Sequence, residues 1–470
     1  MNISSETPSS LVEGCLSTEN EASQSTSAQP DRVIVLARFP EAGQAKTRLI
    51  PALGAERAAQ LQTALTGRAL NVTRQLCSAR PCDLEVRFAG GDVSRMCRLF
   101  GSGHRYSVQH GAGLGERLEH AVSAAFMEGA KRVLVIGTDC PEIEPSILAE
   151  AFEALSRTEV VLGPALDGGY YLIGLRVNQP CLFRGIDWGT ENVLQQTLEN
   201  ARQSRYSVRQ LKALSDVDYP EDLLACLRVP GAFPDVLPEM RAGLLSIVIP
   251  TFNEERTIEH TLEPIAGLKD VEVIVADGGS GDATTDIARR MGICVVPVRP
   301  GRGRQMNAGA ALASGEVLLF LHADTKLPGG FREHVWSTLD RGAVGGAFPL
   351  RIDDTHSGLR WIEWGANLRS QYLQMPYGDQ GLFVRSELFH RVGGFPNWPL
   401  MEDYELCRRL RRHGRILLAP AAIVTSARRW LKLGLWQTTL INQLCIAGFR
   451  LGVSPERLAS WYSLRSGQQP

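Results

Sequence analysis

The chain has 470 residues, 44% hydrophobic and 21% charged, the balance of a folded protein with room for two cores. Lys plus Arg number 50 against 51 Asp plus Glu, and the formal charge of -1 excludes a bulk nucleic-acid binder and confines phosphate binding to local sites. Ten cysteines with no CxxC pair speak against a disulfide scaffold or a thiolate metal site and fit a reducing compartment.

Residues 1–30 are rich in Ser, Thr, Glu and Gln and lack both a basic start and an apolar run, so they read as a disordered tail and not as a signal peptide. No window offers the roughly 18 consecutive apolar residues of a membrane span, and the expected location is the cytoplasm. From Arg32 short apolar runs alternate with helical periods. VIVLA (33–37), LEVRFA (84–89), VLVIG (133–137) and VVLGPA (160–165) read as strands. Ala58, Leu61, Leu65, Ala69 and Val72 mark one helix, and Leu114, Leu118, Val122, Ala125 and Phe126 mark another. Pro230–Met240 has three prolines and little periodicity, a linker signal that sets boundaries at 31–229, 230–243 and 244–470. The rhythm then restarts with LSIVIP (245–250), a helix carrying Ile258, Leu262 and Ile265, VEVIVAD (271–277) and VLLFLHAD (317–324). The expectation is α/β, two tandem Rossmann-like domains with mainly parallel sheets. Such sheets bind ligands beyond the carboxyl ends of their strands.

The first half opens its candidate site with ARFPEAGQAKTRLIPALG, which gathers Arg38, Lys46 and Arg48 around Gly43 after the first strand. That is a natural phosphate cradle, against the plainer reading of a charged surface loop. Further turns bring Glu116 and Arg117, Asp139 (GTDCP), Asp167 (LDGGYY), Asp187 with Thr190 and Glu191 (DWGTE), and Asp216 with Asp218 (DVDYPEDL). So many acid-bearing turns suggest a divalent ion beside a phosphate-rich ligand.

In the second half, IVIPTFNEE sets Thr251, Asn253 and Glu254 at a strand end just before a helix, where the free amides favour anions. VIVADGGSGD ends a strand on Asp277, whose carboxylate can accept hydrogen bonds from a base or ribose. An ordinary glycine-rich turn would look the same. RPGRGRQMNAGA carries Arg299, Arg302, Arg304 and Asn307, and guanidinium forks suit diphosphate oxygens. In LFLHADT, His322 and Asp324 share one face of an extended segment, and Asp324 can hold a hard cation together with substrate phosphates. YGDQ contributes Asp379 and Gln380, and LMEDYEL places Glu402 and Asp403 at a helix start. Acids there are also favoured as simple first-turn charges. Near the end, Trp430, Leu433, Trp436, Leu440 and Ile441 with Arg428 and Arg429 suggest a lid over an acceptor pocket, or an amphipathic surface resting on a membrane or partner.

Taken in this order, and with YGDQ and LMEDYEL counted as one stretch (377–414), the five stretches from residue 244 to about 430 resemble the family 2 glycosyltransferases, nucleotide-sugar-dependent enzymes of the GT-A fold. The resemblance implies that Asp277 contacts a uridine-type nucleotide and that Asp324 carries a divalent cation, Mg or Mn. It makes Asp403 of the Glu402–Asp403 pair the catalytic base of an inverting displacement. Thr251, Asn253, Glu254, Arg302, Arg304, Asn307, Asp379 and Gln380 are then expected around the nucleotide sugar. His322 stands where the family usually has the first acid of an Asp-x-Asp motif. The first half is similar to GT-A-type nucleotidyltransferases and glycosyltransferases, and most of all to the DUF2064-type transferases found beside a family 2 enzyme in bacteria. KTRL, GTDCP, LDGGYYLIG and DWGT carry that likeness, and DVDYPEDL is similar to the closing motif of molybdenum-cofactor and phospholactate nucleotidyltransferases. It implies Asp139 as the main metal ligand, Asp218 as a second, and Lys46 and Arg48 on nucleotide phosphates, with Arg117, Asp167 and Asp187 at the same ligand.

Proteins similar to both halves have been linked to arsenosugar biosynthesis and to operons with radical enzymes or selenium-related domains. The expected partners are a nucleotide-sugar donor and a small-molecule or lipid acceptor, with no nucleic acid and with peripheral membrane contact left open. Two alternatives stand beside sugar transfer. The first half could make the activated donor with release of pyrophosphate, or the chain could be a nucleotide-sugar-binding regulator without chemistry.

Overall fold

The computed structural model describes residues 31–229, 231–233, 235–428, 430 and 435–466. The segment read as a disordered tail lies outside the described residues, as do Pro230, Arg429, Leu433 and the side chain of Trp436. The fold divides into two compact units, one of residues up to Ala45 with Leu61–Asp216, the other of Lys46–Gln60 with Val217 onward.

The first unit is built on seven strands: β1 Asp31–Arg38, β2 Cys82–Ala89, β3 Arg105–Val108, β4 Val133–Ile136, β5 Val160–Pro164, β6 Tyr170–Leu175 and β7 Val208–Gln210. They lie in the order β3-β2-β1-β4-β6-β5-β7. All pairs are parallel except those made by β6. Both faces are covered, which explains why the strands read as continuous apolar runs. Val33, Val35 and Ala37 enter a core with Leu148 and Phe152. Ile34 enters the opposite one with Leu118 and Val122. The periodic stretch from Ala58 to Val72 is helical within Ala55–Ala79.

In the second unit the strands are β8 Arg241–Thr251, β9 Val271–Asp277, β10 Cys294–Pro297, β11 Gly315–Phe320, β12 Thr325–Lys326, β13 Gly345–Ala347, β14 Leu350–Asp353, β15 Leu382–Arg385, β16 Ile416–Leu418 and β17 Ile423–Ser426. Seven of them form a sheet in the order β10-β9-β8-β11-β15-β13-β16. Here only β15 runs antiparallel to its neighbours. Strand for strand this is the topology of the first unit. β12, β17 and β14 form a second, smaller sheet. The run read as a strand through Asp324 stops at Phe320. Beyond it the Leu321 amide still donates to the Val248 carbonyl, and the Thr325 amide then closes a turn on the His322 carbonyl. In both sheets the strand order reverses beside the first strand, between β1 and β4 and between β8 and β11, the place where open α/β sheets leave a crevice.

Candidate active site

The loops after β8 and β9 are tied together by Asp277, which is buried at 4% exposure. One carboxylate oxygen accepts from the Thr251 hydroxyl at 3.0 Å and the Ser280 hydroxyl at 2.5 Å. The other accepts from the Gly279 and Ser280 amides at 3.0 and 2.8 Å. Four donors fill the roughly four lone-pair positions of a carboxylate. Asp277 therefore organises the 278–281 turn, and a base or ribose would have to displace one of these bonds. Asn253, with a left-handed φ of 55°, accepts from the Gly281 amide at 2.8 Å and closes the same crevice. Gln305 was not singled out in the sequence. Its buried amide donates to the Thr251 carbonyl at 2.7 Å and the Ala276 carbonyl at 2.9 Å, joining the ends of β8 and β9.

Past β11, His322 and Asp324 are half-buried while Leu321, Ala323 and Thr325 are buried, but 322–325 is a turn and not the extended segment expected. Arg428 donates to Glu254 at 2.9 Å and to Asp324 at 3.3 Å. Desolvation works against its charge, but the two carboxylates outweigh that and hold the guanidinium above its usual range. Among the described residues no group of three or more His, Cys, Asp and Glu side chains could hold a metal ion by itself. The donor set nevertheless fits a hard dication of the Mg or Mn type, which is commonly bound through one or two carboxylates, waters and substrate phosphates. Asp324 and Glu254 would supply the carboxylates, and Arg428 is the competitor a cation would displace.

Three distant motifs meet at the start of the helix Glu402–Leu410. Asp403 accepts from the Gly378 amide at 2.8 Å and from the Tyr404 amide at 2.7 Å, one bond to each oxygen. Met401, immediately before the pair, has φ 71°. A side-chain-bearing residue held there costs about 1–3 kcal/mol, and it aims the first turn. Glu402 is buried and lies 3.6 Å from Arg302. Desolvation opposes the charge on Arg302, yet Glu402, Asp403 and Asp379 together raise it above the ordinary range. His322 borders the same space, since a Cβ on Gly378 would lie 3.1 Å from its ring and 3.6 Å from the Asp403 carboxylate.

Two residues expected at the nucleotide are bracing groups instead. Asn307 donates to the Phe395 carbonyl at 2.8 Å and accepts from the Phe395 amide at 2.9 Å, so one donor and one acceptor position of its amide are taken up by the backbone. Gln380 is completely buried. It accepts from Arg369, Ser370 and the Tyr377 amide and donates to the Phe348 carbonyl. Arg304 turns back to the Pro300 carbonyl at 3.3 Å. Beside Asp379 a cavity of 370 Å³ opens, lined among others by Trp361, Tyr377, Tyr404, Trp430 and Ile446.

Within the second unit, Lys46 and Arg48 both reach Asp218, at 3.1 and 3.0 Å, and Lys46 also donates to the Val217 carbonyl at 2.7 Å. A metal on Asp218, or a phosphate on Lys46 and Arg48, would have to displace one of these contacts. In the first unit Asp139 follows β4, half-buried, with the Thr138 hydroxyl 3.4 Å from its carboxylate. Asp167 accepts from the Gly169 amide and Asp187 from the Gln196 side chain. The motifs around them interlock. A Cβ on Gly168 would lie 2.2 Å from the Glu191 carbonyl, and one on Gly115 would lie 2.4 Å from the Trp188 ring nitrogen. Arg117 donates to the Gly111 carbonyl at 3.1 Å.

A mostly parallel sheet whose strand order reverses beside its first strand places each unit among the open α/β folds that bind ligands at that crevice. Residues 246–393 match the glycosyl transferase family 2 model, and residues 72–190 match a family described as an uncharacterized protein conserved in bacteria, DUF2064. The two matches follow one another along the chain, the DUF2064 match first and the family 2 match second. It is 34% identical to glucosyl-3-phosphoglycerate synthase of Mycobacterium tuberculosis over 126 residues, covering 22% of this chain and 39% of that one. It is 38% identical to validoxylamine A glucosyltransferase of Streptomyces hygroscopicus subsp. jinggangensis over 122 residues, 23% of this chain and 27% of the other. The chain therefore spans well under half the length of these curated relatives. Among solved structures, a candidate nucleotide-diphospho-sugar transferase from Desulfovibrio desulfuricans G20 is 33% identical, with 44% of this chain and 91% of that chain covered and a TM-score of 0.41. The Mycobacterium tuberculosis synthase in complex with Mn2+, UDP and glucosyl-3-phosphoglycerate is 22% identical, covering 43% and 78%, with a TM-score of 0.32. Among the described residues no helix is long and apolar enough to cross a membrane.

Proposed function

We propose that the second unit is a glycosyltransferase that moves a sugar from a nucleotide-diphosphate donor to a hydroxyl acceptor with inversion, assisted by a divalent cation. The observation that carries this reading is Asp403, whose two oxygens are each fixed by one backbone amide at a helix start whose next residue, Tyr404, lines a cavity. Each oxygen keeps acceptor capacity, so one can take a proton from a hydroxyl presented from the cavity. As that proton leaves, the acceptor oxygen forms a bond to the anomeric carbon, and the bond to the diphosphate breaks with its electron pair going to the phosphate oxygen. Attack opposite the leaving group inverts the centre. Arg302, oriented by Glu402, is placed to meet the charge that develops on the diphosphate. A dication held by Asp324 and the phosphates would add Lewis-acid stabilisation of the same charge.

The sequence resemblance implies a uridine-type donor, so UDP-glucose with Mn2+ is the first probe. Full-length protein should release UDP in a metal-dependent manner, and Asp403→Asn should bind UDP but not turn over. Near-normal turnover in that variant sinks the assignment. UDP binding without any turnover across nucleotide sugars would favour the regulator. For the first unit we propose a second transferase, acting on a nucleotide sugar or a sugar phosphate. Pyrophosphate release from a nucleoside triphosphate and a sugar phosphate by the full chain, lost in Asp139→Asn and kept in Asp324→Ala, would make it a nucleotidyltransferase. An arsenosugar-like metabolite is the product class suggested by the resemblance of both halves. A mass-spectrometric comparison of cell extract treated with wild type and with Asp324→Ala tests it.

A further inference from the structure

The proposed transfer leaves the acceptor unspecified, and the walls of the cavity carry information about it. The helix Ser357–Leu368 is fastened to β14 by one face. Asn367 pairs with both the amide and the carbonyl of Leu350, Glu363 accepts from the Ile352 amide, and Leu359 and Ala366 are buried. Its other face is apolar but open to solvent. Trp361 is 68% exposed, Trp364 60% and Leu368 40%, and Tyr372 in the following turn is 70% exposed. Spacings of three, four and four residues place these on one stripe. Trp361 also lines the cavity, so the stripe and the cavity are continuous. The second helix of the cavity, Leu435–Arg450, leaves Leu440 and Leu444 exposed as well.

Gly365 is an independent observation. It sits inside the helix, where glycine is less favourable than alanine by about 0.5–1 kcal/mol, and it has no positive φ to justify it. A Cβ there would meet nothing within 4 Å. The residue lines the cavity, so the missing side chain is open space in its wall. Aromatic rings alone would also suit a sugar platform. The aliphatic neighbours Leu368, Leu373 and Ile446 instead favour an apolar chain, which gains by leaving water without needing hydrogen-bond partners.

We propose that the cavity holds the acceptor, and that the acceptor is an alcohol carrying a long apolar chain. Its hydroxyl lies at the Tyr377, Asp379 and Tyr404 end, and its chain runs past Gly365 and Trp361 onto the exposed stripe. The proposal rests on the glycosyl-transfer reading for its chemistry, but its binding prediction stands apart.

The test uses full-length protein and three probes: n-dodecyl β-D-glucoside below its micelle concentration, methyl β-D-glucoside, and maltotriose. Binding is read by calorimetry, and transfer by mass spectrometry with the donor and cation used above. The dodecyl compound should bind at least tenfold more tightly than the methyl compound. Gly365→Leu, whose Cβ meets nothing within 4 Å, and Trp361→Ala, at an exposed position, should each erase that ratio and leave UDP affinity within twofold. Asp403→Asn should keep the ratio in binding and lose transfer. Equal affinities in the wild type, a preference for maltotriose, or a ratio that survives Gly365→Leu would each overturn the proposal. An intact ratio with no transfer to any probe would count against the glycosyl-transfer reading alone.

Discussion

The fourth strand of each unit leads to an acid, but the two acids keep different company. Asp324, after β11, is bridged to Glu254 by Arg428, whereas Asp139, after β4, has the hydroxyl of its neighbour Thr138 among its contacts. The sheets have the same strand order, so this difference does not come from the scaffold. It comes from what the second unit adds after the shared strands. The small sheet β12-β17-β14 delivers the chain to Arg428, and the helix Leu435–Arg450 supplies one wall of the cavity. Chemistry is grafted onto a common frame, and the frame by itself does not choose it.

The comparison can be broken at four places, beginning with the largest effect. Asp403→Asn should lower metal-dependent UDP-glucose turnover by about 10² to 10⁴-fold, the range for loss of a general base, with UDP affinity retained by calorimetry. Asp324→Ala should lower the same turnover by about 10²-fold or more through loss of several kcal/mol of charge stabilisation. Asp139→Asn should leave it unchanged, and a large loss there would mean that the units do not work separately on this reaction. A third test concerns pH. Burial, with help from the charge of Arg228, pushes His390 down to about 4. The unfolded chain, with an ordinary histidine near 6.5, then binds the proton first as pH falls. Stability tied to this group is complete above that value and is lost between about pH 6.5 and 4, to the extent of roughly 2–3 kcal/mol. Urea midpoints at pH 7 and pH 4.5 should show a steeper fall in wild type than in His390→Gln. Last, Thr251→Val removes one of four donors from Asp277 and should cost about 1 kcal/mol, read as a shift in urea midpoint.

Much of the fold was legible because both sheets bury both faces. VIVLA, VLVIG and VEVIVAD could hardly be anything but inner strands, and the acids that follow them fall at the switch point. The site was legible in position more than in partnership. Asp277, Asn307 and Gln380 lie close to where a nucleotide-sugar site was expected, yet their hydrogen-bonding groups face backbone and hydroxyl partners brought in from other segments, such as Phe395 and Phe348. Lys46 and Arg48 read as free phosphate ligands because Asp218, 170 and more residues away, is invisible to local spacing. Gln305 carried no signal beyond being an amide among small residues. The identity of the two strand orders also escaped, since short strands such as β13 and β16 hold only three residues each.

The bridge made by Arg428 has a thermodynamic consequence. Glu254, Asp324 and Arg428 together carry a formal charge of about -1, so a nucleotide diphosphate alone meets repulsion there, whereas a dication turns the sum positive. If donor and cation bind as proposed, they are linked ligands, each raising the affinity of the other by the same factor. A UDP dissociation constant unchanged by Mn2+ at fixed ionic strength would refute this coupling. Replacing Arg428 by Met should enlarge the coupling, because it removes the competing cation and makes the unfilled site more negative.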